Sequence, residues 1–300
     1  MCNAIKKILY KIQGKIYRSI AKLFKYRSTS YPYISGDGFR SMADHIYDET
    51  FKCRASEVED NDVVFLKTDM KEEWFTLIHP KIMSRYKLIT HNSDDVIGRK
   101  ESLYIDDKII RWFAQNNIYK HEKIVPIPIG IENKHLFVNG WAFMKVVKKI
   151  VNISTIEKKN KILFGFNIKT NPKERGTAIS SLRNSVICDE IIHRVTPIEH
   201  FNLLNKYKFV ASPEGNGPDC IRTWEALAFK VVPIIKNSSD CQVIEQNNLP
   251  ILKIKDWSEI TNLSEEKLAT IYNNYDFASK SDITMFDYWK EIIKKNEKLI

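Results

Sequence analysis

Arg222 and Glu225 stand three residues apart at the head of an apolar run. They follow the loop Ser212-Pro-Glu-Gly-Asn-Gly-Pro-Asp-Cys220. On a helix that spacing puts both side chains on one face. Gly215 and Gly217 would let backbone N–H groups approach oxyanions, and a helix N-terminus adds a positive dipole end. An arginine grips a diphosphate as a fork. A glutamate accepts hydrogen bonds from sugar hydroxyls. Together these residues suit a phosphorylated, sugar-bearing ligand, with Ser212, Gly215, Asn216, Gly217, Arg222 and Glu225 as the contacts. Arg222 would also neutralise charge that builds on a diphosphate leaving group, where fixed cations contribute most. The competing reading is a surface ion pair between Arg222 and Glu225 beside a structural turn.

Other residues could complete such a site. The loop 167–175 carries Lys169, Lys173 and Arg175 and is a second candidate for phosphate contact. A transfer that inverts configuration needs a base for the acceptor hydroxyl. His91 and Asp94 stand at a predicted strand end and rank first, with Asp37 and Asp44-His45 as an alternative cluster. A transfer with retention demands no separate base. Asp60-Asn-Asp62 has a metal-binding spacing, but it precedes its strand and reads as a turn. No metal and no cofactor are expected beyond the donor substrate itself.

The elements that position these residues alternate between strand and helix. Residues 62–67 and 86–90 read as strands, and 123–130 as an extended edge segment because of its two prolines. Helices are expected at 41–50, 72–78, 107–115 and 140–150. The polar stretch 151–160 reads as a linker. A second half then opens with a strand from Lys161. A helix starts at Thr196-Pro-Ile-Glu199, which has the capping-box spacing with proline at the first helical position. The unit 209–235 follows as strand, loop, helix and strand, and 249–254 is a further strand. A last helix places Phe286, Trp289, Ile292 and Ile293 on one face. The expected class is therefore α/β with two Rossmann-like halves, an N-terminal amphipathic helix and a C-terminal helix. The domains are an arm at 1–30, an acceptor-side half at 31–155 and a nucleotide-sugar-binding half at 156–300. Ligands of such sheets bind at the carboxyl ends of strands, in the crevice between halves.

The net charge of +10 first suggests nucleic acid. Its distribution argues otherwise. Residues 1–36 hold eight Lys and Arg and no Asp or Glu, which leaves 39 basic against 37 acidic residues in the rest. Ile5, Ile8, Leu9, Ile12, Ile16, Ile20, Leu23 and Phe24 recur at helical spacing between those cations. That pattern fits a helix lying on anionic lipid through residues 1–27. The competing reading is a helix that packs its stripe on the protein. The arm lacks the apolar run of a signal peptide or a membrane span. Five scattered cysteines without CxxC spacing favour a reducing cytoplasm, with the protein peripherally bound to the membrane.

Ser212-Pro-Glu-Gly-Asn-Gly, Arg222-Thr-Trp-Glu225-Ala and Val232-Pro-Ile-Ile together resemble the donor-site motif of exostosin-like glycosyltransferases. The likeness extends to bacterial polysaccharide-type relatives through His91-Asn-Ser-Asp94, Trp112-Phe-Ala-Gln-Asn116 and Pro126-Ile-Pro-Ile-Gly130. The resemblance spans roughly residues 60–240. It implies the two-domain GT-B architecture and a nucleoside-diphosphate-sugar donor. It also implies transfer to a glycan or glycolipid acceptor in surface-polysaccharide synthesis. The nearly neutral body, with no recognised nucleic-acid module, argues against a nucleic-acid partner. The alternative function is a nucleotide or phosphosugar-binding protein without transferase activity.

Overall fold

A computed structural model describes residues 12–20, 23–136, 139–150, 157–193, 195–237 and 240–295 of the 300-residue chain. Two five-stranded parallel sheets form its frame. The first is built in sequence order from β1 (His45–Tyr47), β2 (Val63–Lys67), β3 (Tyr86–His91), β4 (Ile109–Ala114) and β5 (Ile124–Pro126). The second contains β6 (Lys159–Phe164), β7 (Cys188–Glu190), β8 (Tyr207–Ala211), β9 (Val232–Lys236) and β10 (Leu252–Ile254). Its spatial order is β10-β9-β8-β6-β7. Strands buried on both faces must be apolar throughout. Val63-Val-Phe-Leu66 and Phe209-Val-Ala211 have that composition and are buried along their length. The α/β class with two Rossmann-like halves is the fold observed.

Two segments differ from the helices expected of them. Residues 109–114 form β4, and the region 41–50 contains β1. In β4, Trp112 and Ala114 pack in one apolar cluster and Phe113 in another, so both sheet faces are served. A six-residue apolar run can be buried as either element, and here the parallel pairing with β3 decides it. The edge position expected for the proline-bearing segment holds, since β5 closes one side of its sheet.

The helices in chain order are α1 (12–20), α2 (Gly36–Arg40), α3 (Lys71–Glu73, running on as a π turn to Ile78) and α4 (Gly140–Ile150). They continue with α5 (Pro172–Arg183), α6 (Pro197–Leu204), α7 (Ile221–Ala228), α8 (Gln242–Gln246), α9 (Glu265–Asn273) and α10 (Phe286–Lys294). The capping box at α6 forms as expected, with Thr196 Oγ1 accepting from Glu199 N and the Glu199 carboxylate accepting from Thr196 N. Two helices cross between halves. Phe143 of α4 packs edge-on against Phe201 of α6 and Phe229, so α4 belongs to the core of the second sheet although it precedes the linker. Trp289 of α10 packs against Phe39 of α2, so the last helix returns to the first half. One apolar cluster then runs from Phe65, Ile89 and Phe113 of the first sheet through Trp289 to Trp224 and Ile235 of the second half. These contacts depart from a single cut near residue 155. Residues 151–156 of the expected linker, and residues 1–11 and 21–22 of the arm, lie outside the described residues.

Candidate functional site

The carboxyl ends of both sheets face one crevice. Lys67 at the end of β2, His91 at the end of β3 with Asn92-Ser-Asp94 beyond it, Gln115 after β4 and Ile129 after β5 line a cavity of about 350 Å³. Ile221, the first residue of α7, lines it from the second half. In the second sheet the strand order reverses between β6 and β8, the switch point where open α/β sheets bind ligands. The loop 212–220 leaves β8 at that point, and Gly165-Phe166 leaves β6 there.

Two arginines converge on the switch point. The Arg222 guanidinium lies 5.6 Å from the Phe166 ring centre and donates from Nη2 to Gly165 O at 3.1 Å. Arg175 lies 5.7 Å from the same ring. It donates from Nε to Glu214 O at 2.9 Å and from Nη1 to Asn167 O at 2.9 Å. Among the described residues no carboxylate bonds to either guanidinium. Two cations at one aromatic ring, neither bonded to a carboxylate, match the charge of a diphosphate. Of the charged residues in the loop 167–175, Arg175 is drawn inward while Lys169 and Lys173 stay exposed. Gly215 leaves room for this guanidinium, because a Cβ on it would stand 2.9 Å from Arg175 Nη2 and push that group aside. No side chain caps the N-terminus of α7, which ends at the cavity wall.

Glu225 does not pair with Arg222 on the surface. It is buried, and its Oε1 has no hydrogen-bond partner. Burial, and after it the charge of Glu132, push its carboxyl up to about 8 against the pull of Arg222. Glu132 itself caps α4, its Oε2 accepting from the N–H groups of Asn139 and Gly140. Burial raises its carboxyl as well. A buried oxygen without a partner costs about 1–3 kcal/mol. Glu225 is thus a buried carboxyl with one unsatisfied oxygen, and it is not among the residues that line the 350 Å³ cavity. Ser212 plays a different part from the contact expected of it. Its hydroxyl is buried and lies 3.0 Å from Thr223 Oγ1, which ties the end of β8 to α7.

The two halves meet at the loop. Asn216 Nδ2 donates to Asp94 Oδ2 at 2.9 Å. Ile129 N donates to Asp219 Oδ2 at 2.7 Å, and Trp224 Nε1 donates to Asp219 Oδ1 at 2.7 Å. Burial pushes Asp219 up to about 7 against these bonds. A Cβ on Gly217 would stand 2.7 Å from Asn116 Nδ2, so the glycine permits this close approach.

The acceptor-side candidates separate. His91 is buried, and both its ring nitrogens are engaged. Asn92 N donates to Nδ1 at 2.7 Å, which leaves the proton on Nε2, directed at Pro128 O at 3.1 Å. Burial holds it down to about 4. It shapes the turn after β3. Asp94 is exposed and bonded across the crevice as described. The alternative cluster divides. His45 Nε2 meets Asp62 Oδ2 at 2.7 Å at the opposite end of β1 and β2, and Asp44 accepts from Val63 N at 2.9 Å. Asp60 accepts from Arg85 N at 3.0 Å, so the Asp60-Asn-Asp62 segment works as the turn it was read to be. Asp37 instead lies at the crevice, bonded to His135 Nδ1. Glu132, Asn133 and His135 line the cavity although no role was foreseen for them. Their signal was position, since they lie in the segment that leaves the carboxyl end of β5, the last strand of a parallel sheet.

No family model matches the chain, and no curated protein matches it. The exostosin-like resemblance thus rests on the residues that carry it. Solved structures with a related arrangement include an alpha,alpha-trehalose 6-phosphate synthase from Burkholderia multivorans. Its TM-score is 0.45 at 6% identity, over 79% of this chain and 70% of that one. An alpha,alpha-trehalose-phosphate synthase (UDP-forming) from Burkholderia vietnamiensis gives 0.42 at 6% identity, over 79% and 73%. A UDP-GlcNAc 2-epimerase from Methanocaldococcus jannaschii gives 0.38 at 14%, over 78% and 76%. At these scores and identities the likeness carries nothing about activity.

Proposed function

We propose that the chain is a glycosyltransferase that moves a sugar from a nucleoside-diphosphate-sugar donor to a glycan or lipid-linked acceptor of a surface polysaccharide. The observation that carries this reading is the pair Arg175 and Arg222, converging on Phe166 at the switch point without a carboxylate partner. The donor diphosphate would lie between them, and Glu225 would bond donor hydroxyls. As the bond from the sugar to the diphosphate breaks, negative charge collects where the two guanidinium groups are already fixed. The acceptor would enter from the first half. The arm supports a membrane-bound acceptor, because α1 runs beside that entrance. Arg18 donates to Leu136 O at 2.8 Å, next to the cavity wall, while Ile12, Ile16 and Ile20 stay exposed.

A thermal-shift screen with nucleoside diphosphates and their sugar conjugates tests the donor site. A ligand at a hundredfold excess over Kd stabilises by ~2.7 kcal/mol, a shift of several degrees. Arg222→Ala is expected to remove both that shift and sugar transfer while leaving the unliganded Tm within a few degrees. Absence of a shift with every nucleotide, or wild-type turnover in Arg222→Ala, would overturn the reading.

A further inference from the structure

We propose that His135, held by Asp37, is the general base that deprotonates the acceptor hydroxyl, and that transfer therefore inverts the anomeric carbon. This inference rests on the glycosyl-transfer reading and adds the group that reading lacks. Asp37 is wholly buried at the start of α2, and its Oδ2 accepts from His135 Nδ1. An ionised carboxylate only accepts, so the imidazole proton sits on Nδ1 and the Nε2 lone pair is left available. Among the described residues no group bonds to Nε2. The carboxylate is fixed from other sides too. Asn92 Nδ2 approaches Asp37 Oδ1 at 3.5 Å, Arg27 Nη1 lies 3.7 Å from the same oxygen, and Asp37 N donates to Asn133 Oδ1 at 2.7 Å. The His135 side chain is 18% exposed and lines the cavity that Ile221 closes from the donor side. The base thus lines the cavity from the first half, and Ile221, the neighbour of Arg222 at the start of α7, lines it from the second.

The step balances. The acceptor O–H proton passes to His135 Nε2, and the freed oxygen bonds the anomeric carbon. The bond from that carbon to the diphosphate oxygen breaks on the far side. The electron pair leaves with the nucleoside diphosphate towards Arg222 and Arg175. Asp37 is a positioning residue that fixes the tautomer and stabilises the imidazolium as it forms. Neither expected base fits this role as well. His91 has no free nitrogen, and Asp94 is held by Asn216. The charged groups around the dyad are Arg27, Glu132, Glu49, Lys67 and Asp94 on the cavity wall, with Arg18 behind Leu136.

The experiment compares full-length wild type, His135→Ala and Asp37→Asn, using the nucleotide sugar that gives the largest thermal shift. Nucleoside diphosphate release is measured with a total lipid extract as acceptor. General-base loss costs roughly 10²–10⁴ in rate. His135→Ala is expected to lose at least 10² in kcat while its donor Kd and Tm stay within about twofold and a few degrees. Added imidazole should restore part of the rate, and the acid limb of the kcat/KM profile should vanish in both variants. Turnover within threefold of wild type, or donor affinity falling in step with kcat without imidazole rescue, would overturn the base assignment and leave the donor site standing. A wild type that binds no nucleotide sugar would overturn both.

Discussion

Glu225 is costly to the fold, and under the proposed function it bonds the donor's hydroxyls. Its carboxyl ordinarily titrates near 4.5, and burial beside Glu132 lifts it to about 8 in the folded chain. Between those values the folded state holds a proton that the unfolded state has released. Stability therefore falls as pH rises through that window and is flat outside it. Glu225→Gln removes this titration. The stability of Glu225→Gln relative to wild type should rise between pH 5 and 8, by on the order of a few kcal/mol. Urea unfolding at three pH values measures it, and a pH-independent difference would contradict the raised carboxyl. Under the proposed function, donor affinity should fall in the same variant, because one of the two acceptor oxygens becomes an NH2 donor. At this scale the sequence places Arg222 and Glu225 together on one helix by their spacing, and both lie on α7. Glu132 and His135 were not, because their meaning comes from Glu225 and Asp37, which lie 93 and 98 residues away in the chain.

Elements were legible where length and punctuation agreed. The glycine loop between two apolar runs had to be a strand, turn and helix, and it is. The segment 107–115 carried no such punctuation. Its apolar residues fit a helix face as well as a strand buried on two sides, and only pairing with β3 separates the two. The loop also holds a testable element. A Cβ at Gly215 meets the far end of Arg175, a flexible group that can move aside, and no backbone atom lies as close. Gly215→Ala should therefore leave Tm within about 2 °C, in line with surface changes of under ±0.5 kcal/mol. Displacing Arg175 from Phe166 should still weaken donor binding about tenfold, close to the loss of one charge-assisted hydrogen bond. Calorimetric titration of the nucleotide sugar reads this directly. Unchanged affinity would separate Arg175 from the diphosphate.

The whole molecule adds what neither scale contains, which is how the crevice is closed and where it sits. Helix α4 crosses onto the second sheet and α10 returns to the first, so each half is completed by a helix from beyond the apparent boundary. Those crossings depend on which apolar faces meet in space, and linear composition does not encode that. The arm is the reverse case, since its charge and periodicity were plain in the sequence. In the structure Ile12, Ile16, Ile20, Leu23 and Phe24 remain exposed. Arg27 turns inward to Glu49, Asp37 and Asp48 and so leaves the outward-facing cations. The remaining basic residues of the arm each contribute about 1 kcal/mol near an anionic surface, and that attraction is screened within about 8 Å at physiological salt. Flotation with vesicles of phosphatidylglycerol and phosphatidylcholine should recover the full chain at 20 mM salt and progressively less at 0.5 M. Ile16→Glu with Ile20→Glu should abolish recovery at both, because apolar burial and charge act together. Recovery indifferent to salt, or undiminished in the double variant, would mean that the exposed stripe is covered by something other than anionic lipid.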